Sequence, residues 1–180
     1  TYFGTVQLTN TFSAYTDAFI LKLDSDANVL WAKSGNGNYN EDGQMITTDA
    51  TGNVYVTGGF VNSDSITFGN VTLHKPAGTA NGDPMYIVEY DLSGRLVCST
   101  AITNGGDDRC AIATDKTGNV YICGDFVSNL FILGNDTLTD NAGERIFTAK
   151  FTCGNTTSLP ENETLFPAFS VFPNPATNSV

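Results

Sequence analysis

The chain has 180 residues, a net charge of −11 and a sequence pI near 4.1. So acidic a chain lacks the basic face that neutralises phosphates, which argues against nucleic acid and against docking on an anionic membrane surface. Hydrophobic residues make 41% and charged ones only 15%, so a real core is affordable, and no apolar run approaches the length of a membrane span.

Thr (24), Asn (18) and Gly (18) fill a third of the chain, a composition that favours short strands joined by tight turns. In chain order, Ala18–Asp24 is apolar and β-rich, Ser25–Asn28 is a turn, and Val29–Lys33 is a second strand. Gln44–Thr48, the turn Asp49–Gly52 and Asn53–Phe60 form a hairpin. Ile66–Leu73 closes the unit and is broken at Gly69-Asn70. Apolar residues at helical spacing do not recur in any useful window, so an all-β fold is expected.

The same unit then returns. Met45–Gly59 lies over Ala111–Asp125 at a shift of 66, with nine of 15 positions identical. Phe19–Asp24 falls on Tyr86–Asp91 and again on Phe147–Phe151; Phe68–Leu73 matches Leu133–Leu138 and Phe3–Leu8. About two and a half repeats are therefore predicted over 1–154, with units 1–16 (partial), 17–82, 83–142 and 143–154 (partial). Residues 155–168 read as a linker. The chain opens in mid-pattern at Thr1, as a piece of a longer product would. The half units Thr1–Leu8 and Glu144–Phe151 could share one blade of a closed ring.

The turns have a mechanism. Asp49, Gly52 and Asn53, and again Asp115, Gly118 and Asn119, share the pattern D-x-T-G-N. The Asp accepts turn amides and the Gly supplies positive φ, as in a type I turn followed by a bulge. In the first unit Asn28 stands near the Gly position. Asp24, Asp26 and Asn28 are candidate Ca²⁺ ligands, but one carboxylate per turn is a poor cage, and turn formation is the better reading.

Here the residues carry a resemblance. D-A-F-I-L-K-L-D, V-L-W-A and I-T-T-D-A-T-G-N-V-Y-V-T-G-G-F resemble the SBBP-type β-propeller repeat, and I-T-F-G-N-V-T-L the version in secreted proteins of Bacteroidetes-type bacteria. The resemblance implies β-propeller-type blades of four antiparallel strands, forming an incomplete propeller here, and implies no single activity. Ser170-Val171 followed by Phe172, Pro173, Asn174, Pro175 and Ala176 is similar to the start of a type IX secretion C-terminal sorting domain, over 169–180. That implies the type IX secretion machinery as a partner and a secreted or cell-surface location. Ser65 and Thr137 sit in D-S/T-aliphatic triplets that resemble the O-glycosylation pattern of the same bacteria.

Cys98, Cys110, Cys123 and Cys153 are disulfide candidates. A four-residue loop at Asp115–Gly118 puts Cys110 opposite Cys123; a three-residue loop with a bulge puts them on opposite faces. Alternatively Cys98 reaches Cys110 and Cys123 reaches Cys153, or all are buried thiols. Zinc spacing is absent.

Catalysis has little behind it. His74, the sole histidine, follows a strand at a turn, and nothing nearby completes a Ser-His-Asp set. The pairs Glu41/Asp42 and Asp107/Asp108 occupy matching loops, where adjacent residues tend to point apart. Trp31, Tyr39, Phe60 and Phe126 could stack on sugars, though recurrence in a repeat favours packing. The sequence thus points to a non-catalytic scaffold for adhesion or ligand binding, with surface glycans or neighbouring copies as partners and no cofactor beyond calcium. The alternatives are an accessory module of a polymer-degrading enzyme and a structural subunit of a surface assembly. A blade cannot bury both faces alone, so each needs neighbours.

Overall fold

The structure, a computed structural model, describes residues 1–10, 12–75, 84–102, 110–126, 130–133, 136–139, 145–153 and 167–171. Among them are seventeen strands and no helix. In order these are β1 (Tyr2–Phe3), β2 (Val6–Gln7), β3 (Ala18–Leu23), β4 (Val29–Gly37), β5 (Asn40–Glu41) and β6 (Met45–Thr48). Next come β7 (Val54–Val61), β8 (Ser65–Phe68), β9 (Val71–His74), β10 (Met85–Tyr90), β11 (Leu96–Ile102) and β12 (Cys110–Thr114). The last are β13 (Val120–Phe126), β14 (Leu130–Leu133), β15 (Asp136–Thr139), β16 (Arg145–Cys153) and β17 (Pro167–Val171). Every pairing is antiparallel.

Two sheets have the same plan. One runs β6-β7-β10-β11, with β5 extending the far end of β7; the other runs β12-β13-β16-β17. A hairpin is inserted between second and third strand each time, β8-β9 in the first and β14-β15 in the second. The pair β3-β4, preceded by the hairpin β1-β2, repeats the outer half of this plan. An aromatic contact between hairpin and third strand recurs in all three: Phe3 on Phe19 at 5.1 Å, Phe68 on Tyr86 at 4.9 Å and Phe131 on Phe147 at 4.6 Å.

The sheets cut across the expected frame. Each hydrogen-bonded sheet begins at the D-x-T-G-N hairpin and ends with the outer strand of the following sequence unit, 45–102 and 110–171. Glu144–Phe151 is accordingly no half unit waiting for Thr1–Leu8: β16 is the third strand of its own sheet, and Thr1–Leu8 forms a separate hairpin. Pro167–Val171 is that sheet's fourth strand, so the expected border between linker and sorting segment at 168/169 falls inside a strand.

Strand alternation places the core. β7 is buried at all but its last residue and β10 throughout, so the middle sheet is covered on both faces. Val54, Val56, Phe60, Tyr86, Val88 and Tyr90 join Ile20 and Trp31 in one core cluster. The intervening residues Tyr55, Met85 and Ile87 join Cys98, Ile112, Ile122, Phe147 and Phe151 in another. A period-2 chain that is apolar at both phases is what a sheet between two others requires. Each fully buried Ile, Val or Phe contributes roughly 1.5–3 kcal/mol. Hydrogen bonds also tie the sheets: Thr114 Oγ1 donates to Thr48 O at 2.8 Å, Thr57 Oγ1 to Cys110 O at 3.3 Å, and Trp31 Nε1 to Leu92 O at 3.2 Å.

β4 outruns its expected end at Lys33 because Gly35–Gly37 pair with Ile66–Phe68 of the inserted hairpin. A Cβ on Gly35 would lie 2.5 Å from the Phe68 ring, so the strand passes over that ring only as glycine.

Candidate functional site

Four aspartates build the turns. Asp49 Oδ1 accepts the Thr51 amide at 2.9 Å, the Thr51 hydroxyl at 2.8 Å and the Asn53 amide at 2.9 Å, while Oδ2 accepts Asn53 Nδ2 at 3.0 Å and the Tyr55 hydroxyl at 3.2 Å. Asp115 repeats this set with Thr117, Asn119 and Tyr121. Asp91 repeats the Oδ1 half of it, accepting the Ser93 amide and hydroxyl and the Arg95 amide. Gly52, Gly94 and Gly118 take φ of +86°, +80° and +83°. For Asp115 the hydrogen bonds from Thr117 and Asn119 hold the carboxyl well below its usual range. For Asp49 and Asp91 burial pushes upward, and the turn donors outweigh it.

In the first turn the left-handed residue is Ala27, at φ +64°, rather than Asn28. Asn28 sits one step on and donates both its amide and its Nδ2 to Asp24, and the Asp26 amide also donates there. Asp24, Asp26 and Asn28 therefore do not aim three oxygens at one point: the Asp24 carboxylate faces N–H groups, and a cation site needs oxygens.

The cysteines separate into a bridge and two thiols. Cys98 and Cys153 are disulfide-bonded, joining the outer strand of the middle sheet to the third strand of the next. None of the pairings weighed from spacing, Cys110 with Cys123, Cys98 with Cys110 or Cys123 with Cys153, is formed. The Asp115–Gly118 turn carries the bulge, and the register sets Cys110 opposite Gly124 and Cys123 opposite Ala111. Cys110 is buried and Cys123 exposed, on opposite faces. Burial pushes the Cys110 thiol up to about 12. Glu89 lies beside the bridge, its carboxyl raised by burial against a lowering hydrogen bond from Tyr55.

The carboxyl groups of Glu41 and Asp42 have different surroundings. Glu41 is 1% exposed, packed over Gly37, and burial raises its carboxyl above the ordinary range although Ser63 and the Tyr39 amide lower it. Asp42 instead accepts the Gly59 amide at 2.8 Å. Asp107 and Asp108 lie outside the described residues. His74 ends β9 opposite Ser65. Ser65 is half-buried in β8, and Thr137 lies in β15. Pro173, Asn174 and Pro175 lie outside the described residues.

Of the aromatic candidates, Trp31, Phe60 and Phe126 are core. Tyr39 differs: it is 40% exposed and tilted against Tyr15 at 4.7 Å. Two loops meet at this pair. Residues 12–16 are anchored by Asn10, whose Nδ2 donates to Tyr15 O and whose Oδ1 accepts the Phe12 amide. Asn40 Oδ1 accepts from the amide and hydroxyl of Thr16, each at 3.3 Å, and the Glu41 amide donates to Thr16 O at 2.8 Å. Phe12 is also exposed. The result is a Tyr39 ring at the surface, packed on half-buried Tyr15, where the Asn40–Thr16 hydrogen bonds hold the two loops together. Tyr15 and Phe12 escaped sequence reading because no motif of the later units matches the stretch that carries them, and only Tyr39 carried a signal. A separate cavity of about 120 Å³, lined by Phe3, Leu8, Asp17 and Phe19 among others, is below the usual size for an organic ligand. Among the described residues no helix is long and apolar enough to cross a membrane. Comparison with protein-family models, curated proteins and solved structures finds no match.

Proposed function

We propose that the chain is a run of β-propeller-type blades in an exported cell-surface protein, acting as a non-catalytic scaffold for ligand binding, with a glycan as the ligand class. The observation that carries the ligand is the exposed Tyr39, backed by half-buried Tyr15, beside Asn40 and Thr16. Sugar rings offer an apolar face to aromatic side chains and hydroxyls to surrounding amides, and a tyrosine supplies both kinds of contact. The blade reading is supported by the repeated four-stranded plan and by the Thr114–Thr48 bond, which joins equivalent first strands of successive sheets. Export is supported by the disulfide and by the resemblance at 173–175 to a sorting segment. The test is a glycan array probed with the chain and with Tyr39→Ala. Binding to a defined glycan class, weakened on the order of ten-fold by the substitution, supports the reading, since a well-placed aromatic contributes about 1.4 kcal/mol or more. A blank array, or binding unchanged in Tyr39→Ala, removes it.

A further inference from the structure

The third strand of each sheet is the test position. β10 is flanked by β7 and β11, and β16 by β13 and β17. Their equivalent β3 pairs, among the described residues, with β4 alone. The registers of the two complete sheets agree. Tyr86 stands opposite Gly58, Val88 opposite Val56 and Tyr90 opposite Val54. Phe147 stands opposite Gly124, Ala149 opposite Ile122 and Phe151 opposite Val120. The glycine is required in the first case, because a Cβ on Gly58 would lie 2.5 Å from the Tyr86 hydroxyl and would collide with Asp42 O.

We infer that β3 is a docking edge for one further inner hairpin of the D-x-T-G-N type. The incoming strand carries the pattern V-x-V-x-G, with its glycine opposite Phe19 and its two β-branched residues opposite Leu21 and Leu23. Beside this edge Phe19 is 56% exposed and Leu23 44%; their equivalents Tyr86 and Tyr90, at 0% and 2%, are covered by the sheet that faces them, and Tyr86 also lies over Gly58 of the strand beside it. An apolar edge strand with one unoccupied side is a template for strand addition, and alternate side chains set its specificity. The occupant is the one that the other two copies already hold, a strand pair like Met45–Val61. This inference rests on the sheet repeat and is independent of the glycan reading.

The test is a synthetic hairpin with the sequence of residues 44–61 added to the isotope-labelled chain, followed by amide hydrogen exchange and chemical shifts. Docking is expected to raise protection of amides in 18–23 on the order of ten-fold or more and to leave β10 unchanged. A hairpin with valine in place of its Gly58 equivalent is expected not to dock, and neither is the normal hairpin on Phe19→Lys, whose fold is checked by unchanged exchange of the β10 amides. The inference is overturned if the β3 amides stay unprotected, if the valine hairpin docks equally well, or if Phe19 becomes buried by self-association of the chain without added hairpin.

Discussion

Gly94 and Gly118 occupy the same place in two copies of one turn, with φ of +80° and +83°. They differ in what lies above them. A Cβ on Gly94 would lie 2.7 Å from Trp31 Cγ and 2.8 Å from Cδ2, across the boundary between two sheets; a Cβ on Gly118 meets nothing within 4 Å. Gly118→Ala therefore carries only the left-handed backbone cost, about 1 kcal/mol. Gly94→Ala carries that cost plus overpacking against the buried indole, about 1–3 kcal/mol more. With a urea slope of about 2 kcal/mol/M, the midpoint falls by roughly 0.5 M for Gly118→Ala and by roughly 1–2 M for Gly94→Ala. The assay is urea unfolding followed by circular dichroism and by the fluorescence of Trp31, the single tryptophan. Fluorescence is expected to shift in the native state for Gly94→Ala alone. Equal midpoints, or an unmoved indole signal in Gly94→Ala, would refute the packing of the first sheet against the Asp91–Arg95 turn.

Ala27→Gly relieves a left-handed alanine and is expected to raise stability by about 0.5–1 kcal/mol in the same melts; a loss of stability contradicts the turn assignment. Replacing Cys98 and Cys153 by serine removes a bridge spanning 55 residues and is expected to cost about 4 kcal/mol, while thiol titration of the native parent finds Cys123 and reaches Cys110 only on unfolding. For Glu41 the folded carboxyl lies above its ordinary value of 4.5, so its contribution is full below that pH and is lost as pH rises through the folded value. Glu41→Gln is therefore expected to leave Tm unchanged in acid and raise it at neutral pH; an equal effect at both would count against a Glu41 carboxyl raised by burial.

Much of this was legible in the residues. The D-x-T-G-N hairpins, the break at Gly69-Asn70 and the equivalence of Phe19, Tyr86 and Phe147 all follow from local turn chemistry and a shift of 66. The frame was not. A repeat tells which segments correspond, but not which of them share hydrogen bonds, so a sheet running from β6 to β11 has the same self-similarity as one cut at residue 82. The disulfide was out of reach for a related reason: one bulge at Asp115–Gly118 reverses Cys123, and its position is fixed by the backbone hydrogen bonds from Asp115 N to Asn119 O and from Gly118 N to Asp115 O. The burial of Glu41 was not legible because adjacency in sequence says nothing about which side chain packs over the Gly37 backbone. The Tyr15–Tyr39 surface lies in loops that share no period with the strands, and loops are where recognition residues sit on a rigid scaffold.

The central claim is that successive copies of one sheet lie face to face, with alternate residues of β10 entering different cores. Methyl and aromatic nuclear Overhauser contacts in the labelled protein test it directly. Val56 and Val88 are expected to show contacts to Ile20 and Trp31, and Met85 and Ile87 to Ile122 and Phe147, with no crossing between the sets. Contacts from Val88 to Ile122, or no contacts between sheets, would contradict it.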